Sequence, residues 1–382
     1  MTGNDSRSLR PFIVISLLLS LPPGILFLQH KLSIWSAPAL LAVSLAGMAS
    51  VVVMELRARK HIAGNASGVK HEELTATNVS SIAPWLKQNV RGHNEVIDAL
   101  MAELQRNLRL SKSGRHLGAF LLVGPTGTGK TFLANLVGQA LYPRSEPVVL
   151  RMNQYKHEND VFTLLGPPPG MPGYEVGGAL TRPVMANPRR VVIFDELEKA
   201  HHDIHHCLYD ILDAAVCREK SSGTLVDFSG CAFFATSNAG VEALRGLREQ
   251  KVHPAEWLGR SRDALSEEGG FDKAFLARWG GIYLLDELPL VHVAEVACLQ
   301  LAKYWREYGV EVAYTAPEII LETVMRNEQF KQYGVRQLGA FIQSTTGDAI
   351  ALARSRGSRQ VELRVESGKG LVVVERPAKA AK

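Results

Sequence analysis

An apolar run, Ala119-Phe120-Leu121-Leu122-Val123, passes directly into Gly124-Pro125-Thr126-Gly127-Thr128-Gly129-Lys130-Thr131, and then into the helical Phe132-Leu133-Ala134-Asn135-Leu136. No other stretch restricts the fold as strongly. The order G-x-x-x-x-G-K-[ST] requires a strand before it and a helix after it. Its glycines let backbone N–H groups close on phosphate oxygens, and the helix N-terminus adds a dipole that favours anions. Lys130 is expected to meet the β- and γ-phosphates of a nucleotide, and Thr131 to offer its hydroxyl to Mg2+. The predicted fold class is α/β, a parallel sheet flanked by helices.

A second segment, Arg190-Val191-Val192-Ile193-Phe194-Asp195-Glu196, has four apolar residues followed by two carboxylates. Such a run fits a buried parallel strand, and open α/β sheets collect ligands at the C-terminal ends of their strands. Asp195 is suited to holding Mg2+ through its water shell, and Glu196 to polarising an attacking water as general base. In isolation an acidic pair after a strand is as easily a helix cap. A third strand, Cys231 to Ser237, ends at Asn238, whose amide could orient that water. Alone, Asn238 would read as a residue turning the strand into Ala239-Gly240; its place after the other two segments favours the catalytic reading.

These segments and several others occur in the order found in one family. Val90-Arg91-Gly92-His93, the phosphate loop, Gly173-Tyr174-Glu175-Val176-Gly177-Gly178, Phe194-Asp195-Glu196-Leu197-Glu198-Lys199-Ala200-His201, Val226-Asp227-Phe228, Thr236-Ser237-Asn238 and Tyr333-Gly334-Val335-Arg336 carry the likeness. From about Ala83 to Glu375 the chain resembles the C-terminal nucleotide-binding module of the Clp unfoldases, a branch of the AAA+ ATPases. The resemblance implies a P-loop AAA+ core with a small C-terminal lid, ATP with Mg2+, and Val90 and Arg91 beside the adenine. Arg91 stands where relatives have an apolar residue. It also implies that Arg278, in Phe275-Leu276-Ala277-Arg278, reaches the nucleotide of a neighbouring subunit, and that Arg336 contacts nucleotide within its own subunit. An arginine supplied in trans implies a ring, in this family a homo-hexamer. Met171 and Tyr174 fall in the loop by which relatives grip protein substrates in an axial channel. Met171 replaces the gripping tyrosine, giving an apolar but ringless contact, and Pro172 stiffens the loop.

Two further apolar runs, Pro11 to Leu28 and Ile34 to Met54, contain no Asp, Glu, Lys or Arg. Each approaches the roughly 20 residues that span a bilayer. Only Gln29 to Ser33 separates them, while Arg7 and Arg10 precede the pair and Arg57, Arg59 and Lys60 follow it. The positive-inside rule makes this a transmembrane helical hairpin with both ends in the cytoplasm, expected in a bacterial inner membrane. Pro22-Pro23-Gly24 interrupts the first run, and a cleaved signal followed by an anchor is the rival reading. The net charge of +5 is small, and its basic excess sits largely beside these runs, so no nucleic-acid partner is expected.

The predicted organisation is a membrane anchor over 1–60, a flexible linker over 61–82, the large α/β ATPase domain over 83–290, the small domain over 291–375, and a disordered tail over 376–382. Helices are expected over Asn94 to Leu108, Val293 to Tyr308, Ala316 to Asn327 and Val335 to Arg354, and a β-hairpin from Val361-to-Val365 and Leu371-to-Glu375. Cys207, Cys217, Cys231 and Cys298 form no C-x-x-C pair and read as reduced, mostly buried thiols. In His201-His202-Asp203-Ile204-His205-His206 only residues four apart share a helix face, so a metal site is not the preferred reading. No H-E-x-x-H occurs, and Val241 to Gly270 lacks the Ile-Gly-Phe or Ile-Gly-Leu tripeptide that docks a peptidase. The expected function is ATP-driven remodelling, unfolding or disassembly of protein substrates. The alternatives are a torsin-like ATPase activated by a partner, or a nucleotide-gated scaffold in an envelope or secretion assembly.

Overall fold

The structure, a computed structural model, describes residues 79–110, 114–322, 336–366 and 370–375. The two apolar runs, most of the expected linker and the C-terminal tail lie outside the described residues. Among the described residues no helix is long and apolar enough to cross a membrane. Residues 79–80 are already helical and Val79 is fully buried, so the last residues of the expected linker pack onto the core.

Helices α1 (Ile82–Asn89) and α2 (Asn94–Arg109) precede a five-stranded parallel sheet. Its strands are β1 (Gly118–Val123), β2 (Val148–Arg151), β3 (Val191–Asp195), β6 (Ala232–Ser237) and β7 (Gly281–Leu284), in the order β2-β3-β6-β1-β7. Both faces are covered, which is why β1, β3 and β6 are nearly continuous apolar runs. Alternate residues divide between the two faces. Leu121, Val123, Phe194 and Phe233 join one core with Ile204, Leu208 and Ile211 of α6 (His202–Ala214). Phe120, Leu122, Ile193 and Phe234 join the other with Ile97, Leu100 and Leu104 of α2, and with Leu133 and Val137 of α3 (Lys130–Leu141).

The connections carry α4 (Asp160–Leu165), α5 (Thr181–Ala186), α7 (Val241–Glu249), α8 (Pro254–Glu267) and α9 (Lys273–Leu276). A small antiparallel hairpin, β4 (Val216–Arg218) with β5 (Leu225–Asp227), stands beside the main sheet.

A third core follows, built from α10 (Leu290–Glu307), β8 (Glu311–Thr315), α11 (Arg336–Ser355), β9 (Gln360–Glu366) and β10 (Gly370–Glu375) around Trp305, Ile342, Ile350, Val361 and Leu363. The predicted hairpin is present as antiparallel β9 and β10, and β8 adds a parallel third strand beyond it. The expected helix from Ala316 runs out of the described residues after Glu322.

Candidate nucleotide site

The C-terminal ends of β1, β3 and β6 are neighbours, since Val123 pairs with Ser237 and Phe194 with Ala235. The residues just past each strand therefore meet. Gly124 is required by close approach: a Cβ there would lie 2.0 Å from the Leu285 carbonyl oxygen. The loop then enters α3 with Lys130 as its first residue, 7% exposed.

The lysine ammonium donates to the carbonyls of Gly124 (2.6 Å) and Pro125 (2.7 Å), and to Asn238 Oδ1 (2.9 Å). A buried charge is tolerated only with such partners. Beside it, Thr131 Oγ1 donates to Asp195 Oδ1 (2.5 Å), which also accepts from Thr236 Oγ1 (2.8 Å). The Thr236 hydroxyl in turn accepts the Glu196 N–H at 2.9 Å. Thus Lys130 with Asn238, and Thr131 with Asp195, form two hydrogen-bonded pairs side by side at the strand ends, a cluster drawn from three separate segments.

Glu196 sits at φ 60°, in the left-handed region that a non-glycine residue rarely occupies. That turn lifts the residue off the end of β3, and its carboxylate pairs with Lys199 at 2.8 Å. The hydrogen bond that Lys199 donates to Glu196 holds its ammonium above the ordinary lysine pKa. Asn238 receives a further constraint from Glu198, whose Oε1 accepts its backbone and side-chain N–H groups at 3.3 Å each.

His93 received no role from the sequence, yet it is buried and its Nε2 donates to the Thr128 carbonyl at 2.9 Å. Burial pushes its pKa below the ordinary histidine value, outweighing the opposing pull of that bond. Glu198 and Thr236 were also missed as site residues. All three lie inside the motifs already noted, but their partners come from distant segments. Val90 is buried between α1 and α2, and Arg91 reaches the Lys87 carbonyl (3.4 Å) and Glu295 of α10 (3.6 Å). Arg91 therefore ties the segment preceding the phosphate loop to the C-terminal unit.

Arg278 takes its partners elsewhere. Its guanidinium pairs with Asp213 at 2.7 Å, lies 3.9 Å above the Tyr209 ring and donates to the Ala274 carbonyl. These residues belong to α6 and α9, at some distance in sequence from every residue of the cluster. Arg336 begins α11, and its side chain lies outside the described residues. Met171 and Tyr174 are 44% and 43% exposed on the loop between α4 and α5.

The histidine stretch resolves into capping and packing. His201 Nδ1 accepts the Asp203 N–H at the start of α6, and His205 stacks on Phe275 at 4.5 Å with Nε2 donating to the Leu197 carbonyl. His201, His202 and Asp203 do bring possible ligand atoms within 4.8 Å of one another. All four cysteines are free thiols, and burial pushes each up to about 12.

The cluster can accept a nucleotide's phosphates: an ammonium on a glycine-rich turn at a helix N-terminus faces anions, and the hydroxyl and carboxylate beside it are hard oxygen donors of the kind Mg2+ takes. Comparison with known proteins agrees. Residues 115–279 match the model of the AAA domain (Cdc48 subfamily). The chain is 31% identical over 287 residues to the ATP-dependent Clp protease ATP-binding subunit ClpE of Lactococcus lactis, covering 73% of this chain and 37% of ClpE. It is 34% identical over 265 residues to the chaperone protein ClpB of Enterococcus faecalis, covering 67% of this chain and 30% of that protein. The chain thus spans about a third of the length of these relatives. In fold it is similar to Hsp104, as seen in a closed-state cryo-EM reconstruction with ATPγS and FITC-casein, with a TM-score of 0.65 and 23% identity over 80% of this chain and 53% of that one. The chain carries a Clp-type AAA+ ATPase module.

Proposed function

We propose that this chain works as a homo-hexameric ring that uses ATP hydrolysis to remodel or unfold protein substrates, tethered to a membrane by its first 60 residues. The observation that carries the reading is the cluster in which Lys130 bonds Asn238 at 2.9 Å and, beside it, Thr131 bonds Asp195 at 2.5 Å. Lys130 and the backbone of Gly124 to Thr131 bind the phosphates. Thr131 and Asp195 supply the oxygen donors for Mg2+, which when bound neutralises developing charge on the phosphates. Glu196 takes the proton of the attacking water, and Asn238 orients that water. Val90 and Arg91 flank the base, and Arg336 approaches the nucleotide from the C-terminal lid.

Arg278 acts on the nucleotide of the next subunit. To do so it exchanges Asp213 and Tyr209 for a phosphate, so assembly and turnover are linked. The exposed Met171 and Tyr174 contact polypeptide, a role supported by their position and by the apolar, adaptable character of methionine. ClpB is named a chaperone, and Hsp104 was imaged with casein; acting on protein substrates is the corresponding reading here. The N-terminal runs support an inner-membrane hairpin with the ATPase on the cytoplasmic side.

One set of measurements on the full chain decides among the readings: steady-state ATPase with and without FITC-casein, and assembly state of Glu196→Gln with ATP. Turnover stimulated by casein, with an ATP-dependent hexamer, is the expected result. A ring that neither unfolds casein nor responds to it would favour the nucleotide-gated scaffold, for which the loss of the aromatic at Met171 is the specific observation. No assembly at any nucleotide concentration would remove the trans role of Arg278. Protease added outside sealed cells tests topology, since digestion of the ATPase region would exclude a cytoplasmic location.

A further inference from the structure

Glu219 lies just past β4, in the turn of the β4–β5 hairpin, and is 4% exposed. Burying a carboxylate is costly unless hydrogen bonds replace its water. Every partner of its carboxylate among the described residues is a neutral donor. Oε1 accepts from the Gly178 N–H (3.2 Å) and Thr181 Oγ1 (3.1 Å), and Oε2 accepts from Ser222 Oγ (2.6 Å). Burial opposes the charge, but the bonds from Ser222, Gly178 and Thr181 outweigh it and hold the carboxyl below the usual glutamate range.

These donors belong to two different pieces of chain. Ser222 is in the hairpin turn, whereas Gly178 and Thr181 close the loop that carries Met171 and Tyr174. The same turn meets the other end of that loop: Lys220 N–H donates to the Leu165 carbonyl (3.0 Å), and the Lys220 ammonium lies 5.0 Å over the Phe162 ring. The ends of the loop are pinched together by Ala179 N–H to Thr163 O (2.9 Å) and Leu180 N–H to Leu164 O (3.0 Å). There is no room for adjustment, since a Cβ on Gly178 would lie 2.4 Å from the Leu164 carbonyl and 2.6 Å from the Gly166 nitrogen.

The hairpin in turn leads straight to the nucleotide cluster. After β5 the chain passes buried Phe228, whose N–H donates to the Ala215 carbonyl (2.7 Å), and enters β6, which ends beside Asn238 on Lys130. We infer that Glu219 is a positioning residue that makes residues 166–178 and the β4–β5 hairpin move as one body with β6, so that the state of the nucleotide site reaches the exposed Met171 and Tyr174 through this carboxylate. The inference deepens the proposed function and rests on it for the nature of the ligand, but the mechanical link stands on the contacts above.

Spatial continuity does not by itself establish coupling, so the test reads coupling directly. Hydrogen exchange is measured on the full chain with and without ATPγS, for wild type, Glu219→Ala and Glu219→Gln. Glutamine keeps an acceptor for Gly178 and Thr181 and can donate to Ser222, so it serves as the conservative variant. In wild type, amides of 166–178 and 219–224 should change protection together when ATPγS binds. Glu219→Ala should abolish that shared response and accelerate exchange at Gly178 and Lys220 by roughly tenfold or more, while α3 amides and basal ATPase stay as in wild type. Glu219→Gln should restore the response.

A retained ATPγS response in Glu219→Ala would overturn the inference. So would a loss of α3 protection and basal ATPase in step with the loop, because that is general destabilisation. Casein separates the two claims: if wild type shows the shared response but no stimulation by FITC-casein, the polypeptide-gripping reading fails and the coupling stands. Stimulation that survives in Glu219→Ala overturns the coupling and leaves the gripping reading intact.

Discussion

The chain has two glycine-rich loops that the fold treats in opposite ways. Residues 124–131 are held from every side: His93 grips Thr128, Asn238 grips Lys130, and the Leu285 carbonyl presses on Gly124. Residues 166–178 are clamped at their base and bare at the tip, where Met171, Tyr174 and Val176 are 44%, 43% and 61% exposed. On the proposed function, the contrast separates two kinds of work. A loop that must present N–H groups to phosphate in a fixed array gains from immobility, whereas a surface that meets chains of varied sequence needs adaptable apolar contacts on a base that can transmit force.

If that division holds, substitutions in the proposed nucleotide machinery should alter basal turnover and those on the second loop should not. The largest effect is expected from Arg278→Ala, which should cut ATPase in the assembled state by about 10³–10⁵-fold if the arginine acts across subunits. Mixing it with Glu196→Gln chains should then give partial recovery in mixed rings, which a role confined to its own subunit would not. Next comes Glu196→Gln, with a fall in kcat of roughly 10²–10⁴-fold and retained ATP binding by fluorescent-nucleotide titration. Phe234→Ala removes a ring fully buried between α2, α3 and the sheet, and should lower unfolding free energy by about 3–5 kcal/mol in a denaturant titration.

A smaller effect is expected at the second loop. Met171→Ala should leave thermal stability within about 0.5 kcal/mol, as for other exposed positions, and basal ATPase unchanged, while casein stimulation disappears. Loss of basal ATPase instead would erase the distinction between the loops. The smallest effect concerns pH. Burial holds the His93 pKa below its unfolded value, so its neutral form adds stability above that value, and the contribution falls as pH drops from about 6.5 toward the lower folded pKa. Replacing it with glutamine, which preserves a donor to Thr128, should flatten that part of the melting-temperature profile.

Much of the first loop's surroundings was readable from the sequence because its parts are local. A strand, a glycine-rich turn and a lysine at helix position one lie within 20 residues, and the runs ending at Asp195 and Asn238 announce themselves by continuous apolarity. His93, Thr236 and Glu198 escaped because their roles depend on which strand ends lie side by side, and strand order does not show in periodicity. Glu219 escaped for a stronger reason: in Arg218-Glu219-Lys220-Ser221 it looks like an ordinary solvated charge, and only tertiary packing buries it. Strand β8 was missed because it is five residues long and pairs in parallel with β9 some distance along the chain. The Arg278–Asp213 pair was equally invisible, since its members lie 65 positions apart.

The Lys130 ammonium uses its three donors on Gly124, Pro125 and Asn238, and this has a bearing on the reaction cycle. A phosphate does not enter an open socket; it competes with oxygens that already satisfy the cation. Binding is therefore an exchange, and its net strength is set by how much better a doubly charged oxygen group serves the lysine than a pair of carbonyls and an amide. On the proposed function, a phosphate that leaves returns the ammonium to the same internal oxygens. The loop thus holds partners ready for its own cation, which a lysine left waiting in solvent would lack.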